Sequence, residues 1–110
     1  MKTINTEKTK TQMRKGILEL CILSIIGRNK EAYVSDIIDE LKAADMIVVE
    51  GTLYPLLTRL KNEEILQYHW KESTAGPPRK YYKLTELGAQ FCNELTQTWH
   101  LLQTTVNKLI

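Results

Sequence analysis

The chain lacks most of what catalysis, metal binding and membrane insertion require. Its two cysteines, Cys21 and Cys92, have no Cys-x-x-Cys spacing and sit among helical apolar positions. A disulfide scaffold is thereby excluded, and both are expected as reduced, buried small hydrophobes. Only two histidines are present, His69 and His100, and neither has a partner at ligand spacing, so no metal is expected. The five glycines are scattered and cradle no phosphate, and Ser73 stands outside any nucleophile elbow. No paired-carboxylate site or nucleophile beside a base replaces them, so the chain is not expected to be an enzyme and implies no cofactor. The apolar run from Leu18 to Ile26 is too short for a membrane span, and the polar N-terminus lacks the order of a signal peptide. A cytoplasmic protein with no membrane partner is the expectation.

What is present is charge, unevenly distributed. The net charge is only +2, but residues 1–15 hold Lys2, Lys8, Lys10, Arg14 and Lys15 against Glu7 alone, whereas Asp36, Asp39, Glu40 and Asp45 make the next helical region acidic. Such segregation points to one polyanion-facing surface. At 110 residues there is room for a single core.

The organising stretch runs from Gly51 to Leu84. Leu53, Leu56, Leu57 and Leu60 recur at i, i+3, i+4 and i+7, one apolar stripe of a helix. Its opposite face carries Gly51, Pro55, Thr58, Arg59 and Asn62, flanked by Thr52, Tyr54 and Lys61, and Pro55 predicts a helix start near Thr52. Residues 66–72 and 79–84 alternate with period two, which predicts two half-buried strands, and at least half of the aromatic residues Tyr68, Trp70, Tyr81 and Tyr82 are expected in the core. Ser-Thr-Ala-Gly-Pro-Pro between them predicts a projecting loop, longer than a tight turn needs, beside Lys71, Arg79, Lys80 and Lys83. Such a tip suits a phosphate backbone.

Around this unit, residues 1–10 read as a flexible basic arm or frayed helix start. A first helix follows from Thr11 to Ile26, ended by Gly27 as a left-handed cap. Val34, Ile37, Ile38 and Leu41 predict a second helix, joined by a short turn to the third in helix-turn-helix fashion. Thr85 and Glu86 open a last helix. There Cys92, Leu95, Trp99, Leu102, Val106 and Leu109 alternate spacings of three and four, the rhythm of a coiled-coil seam that needs a second copy of itself. The fold class is therefore mainly α with a small β-hairpin: a helix-turn-helix arrangement feeding a basic-tipped hairpin, followed by a long helix with a self-pairing seam.

GTLYPLLTRLKNEE, WKES and GPPRKYYKLTELG, with the apolar helix before them, resemble the PadR family of bacterial transcriptional regulators, in its compact subfamily, over residues 11–110. The resemblance implies a winged helix-turn-helix over residues 11–84 and a C-terminal dimerisation helix over 85–110, in a homodimer that binds a pseudo-palindromic operator on double-stranded DNA and usually represses transcription. Position by position, Thr52, Tyr54, Thr58 and Arg59 match the recognition helix, with Lys61 on its cationic flank, and Gly76, Arg79 and Lys80 match the wing. Arg59 is expected to read guanine, since its fork bridges two acceptors. Similarity to multidrug-responsive members implies that Trp99, with Gln103, Ile17 and Leu18, stacks a planar aromatic or phenolic ligand at the dimer interface; an ordinary interface anchor is the alternative. The chain departs from the family at Glu64, where glycine is usual, which predicts a different helix end and a tilted wing. Two rival functions stand beside this one: a dimeric protein-interaction module using the acidic Asp36 to Asp45 face, and a DNA binder that senses no ligand.

Overall fold

A computed structural model describes residues 2–110; Met1, the first residue of the expected arm, lies outside the described residues. In chain order the elements are α1 (Glu7–Asn29), α2 (Val34–Ala43), α3 (Glu50–Asn62), β1 (Leu66–Ser73), β2 (Gly76–Leu84) and α4 (Glu86–Leu109). One side chain after another on the periodic stripes meets in a single core: Ile22, Leu23 and Ile26 of α1, Ile37 and Leu41 of α2, and Leu53, Leu57 and Leu60 of α3 are buried. Ile65, Leu66 and Tyr82 close it from the hairpin.

The strands pair antiparallel, with Leu66 opposite Leu84, Tyr68 opposite Tyr82 and Trp70 opposite Lys80. Ala32, between α1 and α2, adds a bridge on the far side of β2: its N–H donates to the Tyr82 carbonyl at 2.9 Å, and its carbonyl accepts the Tyr82 N–H at 2.8 Å. The connection is shorter than expected. Strand pairing runs to Ser73 opposite Gly76, leaving Thr74 and Ala75 as the turn, with an irregularity after Lys71. Pro77 and Pro78 lie inside β2, as prolines can in a ribbon whose edges need not donate. Of the four hairpin aromatics expected to be at least half core, only Tyr82 is buried, while Trp70 stays 62% exposed.

Helix ends depart from expectation in an informative way. Gly27 does not end α1, which continues to Asn29 and begins at Glu7, inside the basic arm. Lys30 takes the left-handed position at φ 69°. Gly27 instead admits Leu84, whose Cδ1 would lie 2.9 Å from a Cβ placed there. Similarly, α3 begins at Glu50, so Pro55 falls in its second turn and leaves the exposed Gly51 carbonyl for water. Cys21 and Cys92 are half-buried rather than buried.

At the end of α3 the chain does what glycine would do, without one. Glu64 sits at φ 63°, the Ile65 N–H reaches the Leu60 carbonyl at 2.9 Å and the Glu64 N–H the Lys61 carbonyl at 3.0 Å. These are the two bonds of a Schellman ending, with Leu60 and Ile65 buried as its apolar pair. The helix end is thus the usual one, and the side chain bears the left-handed strain. Glu64→Gly is accordingly expected to stabilise the domain by about 1 kcal/mol, the relief of about 1 to 2 kcal/mol less the added freedom of the unfolded chain. Urea unfolding measures it; a lower midpoint for the glycine variant would refute the strain.

Thr85 then fastens α4 to this corner. Its hydroxyl donates to the Glu64 carbonyl at 2.5 Å and accepts the Gly88 N–H at 2.9 Å, while its own N–H donates to the Ile65 carbonyl at 3.1 Å. From there α4 runs 24 residues, about 36 Å at helical rise. Cys92 and Leu95 pack on the core, but every residue from Gln97 to Ile110 is exposed. The molecule is therefore elongated, 57 × 34 × 23 Å.

Candidate nucleic-acid interface

Because Leu53, Leu57 and Leu60 point inward, the helical period turns Thr52, Tyr54, Thr58, Arg59, Lys61 and Asn62 outward, and all six are exposed. The wing stands beside this face. Tyr54 shares a cleft of about 310 Å³ with Tyr33, Trp70, Arg79 and Lys80. Thr58, Lys61 and Asn62 share a second, of about 140 Å³, with Tyr68 and Lys80. Lys80 and Tyr82 line both, so the two make one furrow between α3 and the wing.

Aromatic rings hold the wing cations in place. The Lys80 ammonium lies 4.2 Å from the Tyr68 ring centre and 5.4 Å from that of Trp70. Lys61 approaches the same Tyr68 ring at 5.8 Å. On the other face of the ribbon, Arg79 donates to the Tyr33 hydroxyl at 3.1 Å and lies over that ring at 4.7 Å. Such contacts fix the direction of a cation while leaving its charge unneutralised. Arg79 stays exposed and Lys80 half-exposed, and Gly76 lies at the tip with open space around it.

Two expected cations are differently engaged. The guanidinium of Arg59 pairs with Glu19 of α1 at 3.1 Å and with Glu63 at 2.9 Å, and the hydrogen bond it donates to Glu63 is the main reason that its pKa is raised further. The fork expected to face a guanine is thus occupied by two carboxylates, one of them forty residues away in sequence. Lys71 pairs with Glu31, which also meets His69 Nε2 at 3.1 Å. The Lys71 hydrogen bond, reinforced by the charges of Lys71, His69 and Lys83, holds the Glu31 carboxyl below its ordinary range. Glu31 and Tyr33 escaped the sequence reading: they precede α2 in a loop with no periodicity, and only the Ala32 bridge places them beside the wing.

The expected ligand residues are not gathered into one described pocket. Trp99 and Gln103 lie on the exposed half of α4, Ile17 is half-buried on α1, and the buried Leu18 lines a cleft with Thr11, Arg14, Lys15 and residues 46–49. Of the seam, Cys92 and Leu95 touch their own core, whereas Trp99, Leu102, Val106 and Leu109 are exposed, by 37%, 52%, 48% and 80%.

A family model of PadR-like transcriptional regulators matches residues 22–94, which span α1 to α4. The chain belongs to the PadR-like family. Solved PadR-like structures share its fold along nearly the whole length. A PadR-like transcription factor from Bacteroides fragilis is 58% identical, with 94% of this chain and 99% of that one covered and a TM-score of 0.77. A PadR-like transcriptional regulator from Bacillus cereus is 41% identical over 89% of this chain and 95% of its own, with a TM-score of 0.79. Bacillus subtilis PadR, solved in complex with operator DNA, is 23% identical over 73% of this chain and 45% of its own, a likeness of fold with a TM-score of 0.65. The chain is thus a transcriptional regulator of the PadR-like family, built as four helices and a two-stranded wing.

Proposed function

We propose that this PadR-family regulator is a homodimeric cytoplasmic repressor, binding a pseudo-palindromic DNA operator through α3 and the wing and released by a planar aromatic or phenolic ligand. The observation that carries the DNA-binding part is the furrow itself. An outward helix face of small and polar residues lies level with a wing whose Arg79 and Lys80 are positioned by rings yet, among the described residues, unpaired with acids. Bacillus subtilis PadR, with the same fold, was captured on operator DNA. In the proposed complex the N-terminal part of α3, with Thr52 and Tyr54, enters the major groove, Thr58 and Lys61 follow its wall, and the wing tip at Gly76 lies along the flanking backbone. Arg59 reads a base only by exchanging Glu19 and Glu63 for it; while it keeps them, it positions α3 against α1.

The test is a titration of salt. Replacing Arg79 and Lys80 by alanine together is expected to weaken binding to every duplex alike and to lower the slope of log affinity against log salt by about 2, one counterion for each phosphate the wing no longer neutralises. Mobility shifts with the chain's own upstream DNA measure it. Unchanged affinity and slope would remove the wing from the interface and favour the protein-interaction reading.

Ligand release is supported by Trp99, a half-exposed indole on the outward face of α4, one turn from Gln103. If two such helices face each other, the paired indoles offer a flat apolar slot. A ligand there must favour a spacing of the two α3 helices that fits DNA poorly, because equal affinity for both states shifts nothing. Planar aromatic compounds are expected to quench tryptophan fluorescence in the parent and in Trp70→Ala, and to lose that effect in Trp99→Ala. Absence of quenching across a broad panel would leave a regulator that senses nothing at this place.

A further inference from the structure

A cleft of about 210 Å³, separate from both the wing furrow and Trp99, opens between the first half of α1 and the turn that joins α2 to α3. Helical spacing puts Thr11, Arg14, Lys15 and Leu18 on one stripe of α1, and these face Met46, Ile47, Val48 and Val49, with Thr52 of α3 closing the end. The floor and far wall are aliphatic: Leu18 is buried, Met46 and Val48 are half-buried, and Ile47 and Val49 are 80% and 64% exposed. The rim is different in kind. Arg14 and Lys15 supply two positive charges, no carboxylate lines the cleft, and among the described residues neither cation makes an ion pair. Three exposed cations elsewhere are engaged by carboxylates, Arg28 by Glu40, Arg59 by Glu19 and Glu63, and Lys71 by Glu31, whereas the two at this rim are free to meet an anion.

We propose that this cleft binds a small apolar monocarboxylate, its hydrocarbon body against Leu18, Met46 and Val48 and its carboxylate between Arg14 and Lys15. The size is adequate, since an apolar cavity of about 150 Å³ already admits a benzene ring. The polarity matches a ligand with one wet, anionic end and one dry end, because two exposed cations stand on one side of an aliphatic floor, where one carboxylate can accept from both. Its position gives occupancy a consequence. Val49 immediately precedes α3, the Thr52 N–H bonds the Val49 carbonyl at 3.0 Å and the Leu53 N–H bonds it at 3.2 Å, so a ligand that wedges the 46–49 turn away from α1 moves the start of the recognition helix. The functional consequence rests on the DNA-binding reading; the binding itself does not.

The experiment therefore contains no DNA. Octanoate and hexanoate are titrated into the protein and followed by amide NMR, with octanamide and hexanamide as uncharged counterparts. Saturable shifts concentrated at Thr11 to Leu18 and Met46 to Thr52 are expected with the carboxylates, with affinity falling about tenfold or more in Arg14→Gln combined with Lys15→Gln and unchanged in Trp99→Ala. Both glutamines replace exposed side chains of a continuous helix, and the amide spectrum of the free variant reports directly whether it folds. Equal binding of amide and carboxylate, shifts centred on Trp99, or no saturable shift overturns the proposal. So does protection of the cleft by the last turns of α4 from a second copy, read as intermolecular contacts between Leu109 and Val48.

Discussion

Aspartate at both Leu102 and Val106 is expected to leave a folded monomer that binds its operator at least a hundredfold more weakly than the parent. The two side chains stand 52% and 48% exposed on a stretch of α4 outside the core, so replacing them leaves the core intact. In the proposed dimer they face each other along the seam, where four buried carboxylates cannot be tolerated. A monomer must then hold each half-site unaided. Linking two binding heads makes the second encounter intramolecular and raises avidity by about 10² to 10⁴, and the variant forgoes that gain. Sedimentation equilibrium and mobility shifts on whole and half operators separate the effects. A variant that stays dimeric would show that α4 is not the seam, and a monomer with full operator affinity would show that pairing is irrelevant to recognition.

The second large effect is expected at Gly88, for a reason the seam does not share. A Cβ there would stand 2.0 Å from the Ile65 carbonyl oxygen and 3.3 Å from the Thr85 hydroxyl. Neither neighbour is the loose end of a side chain. The carbonyl already accepts the Thr85 N–H at 3.1 Å, so α4 must lift away from the α3–β1 corner as a unit. In an open helix, alanine in place of glycine stabilises by about 1 kcal/mol. Here Gly88→Ala is expected to destabilise by about 3 kcal/mol, at the upper end of ordinary overpacking, and to lower the melting temperature by about 12 °C. The reversed sign makes the measurement decisive: a more stable alanine variant would mean that the close approach of α4 to Ile65 is not present in solution.

How much of this was visible beforehand depends on the distance over which each feature is determined. The inward stripe of α3, the alternation of the strands and the Thr85 cap were legible, because each is fixed by residues within one or two turns. The outward face of α3 followed at once, being what the stripe leaves outside. The pairing of Arg59 with Glu19, the clamp of Glu31 on Lys71 and the bridge from Ala32 to Tyr82 were not, because no local period relates residues that meet only after the chain has folded back. Helix ends were misplaced for another reason. Expectation assigned Gly27 the left-handed cap and doubted Glu64 because it was not glycine; the structure puts Lys30, Asp45 and Glu64 at positive φ and, among the described residues, no glycine there at all. Steric room decided instead, since Gly27 and Gly88 are needed where Leu84 and Ile65 press against a helix, and the caps were left to residues that tolerate the strain.

The two-residue tip of the hairpin also determines how the wing moves. A ribbon paired from Leu66 to Ser73 is about 26 Å long at the rise of a strand, and with no slack at its far end it swings as a stiff lever. A rotation of about 5° at its root carries the tip about 2 Å, enough to break a hydrogen bond to a phosphate. The fulcrum is the knot of bonds that Thr85 ties to Glu64 and Ile65. The angle at which the hairpin stands to α3 is thus held at its root, by the Thr85 bonds at one side and the Ala32–Tyr82 bridge at the other.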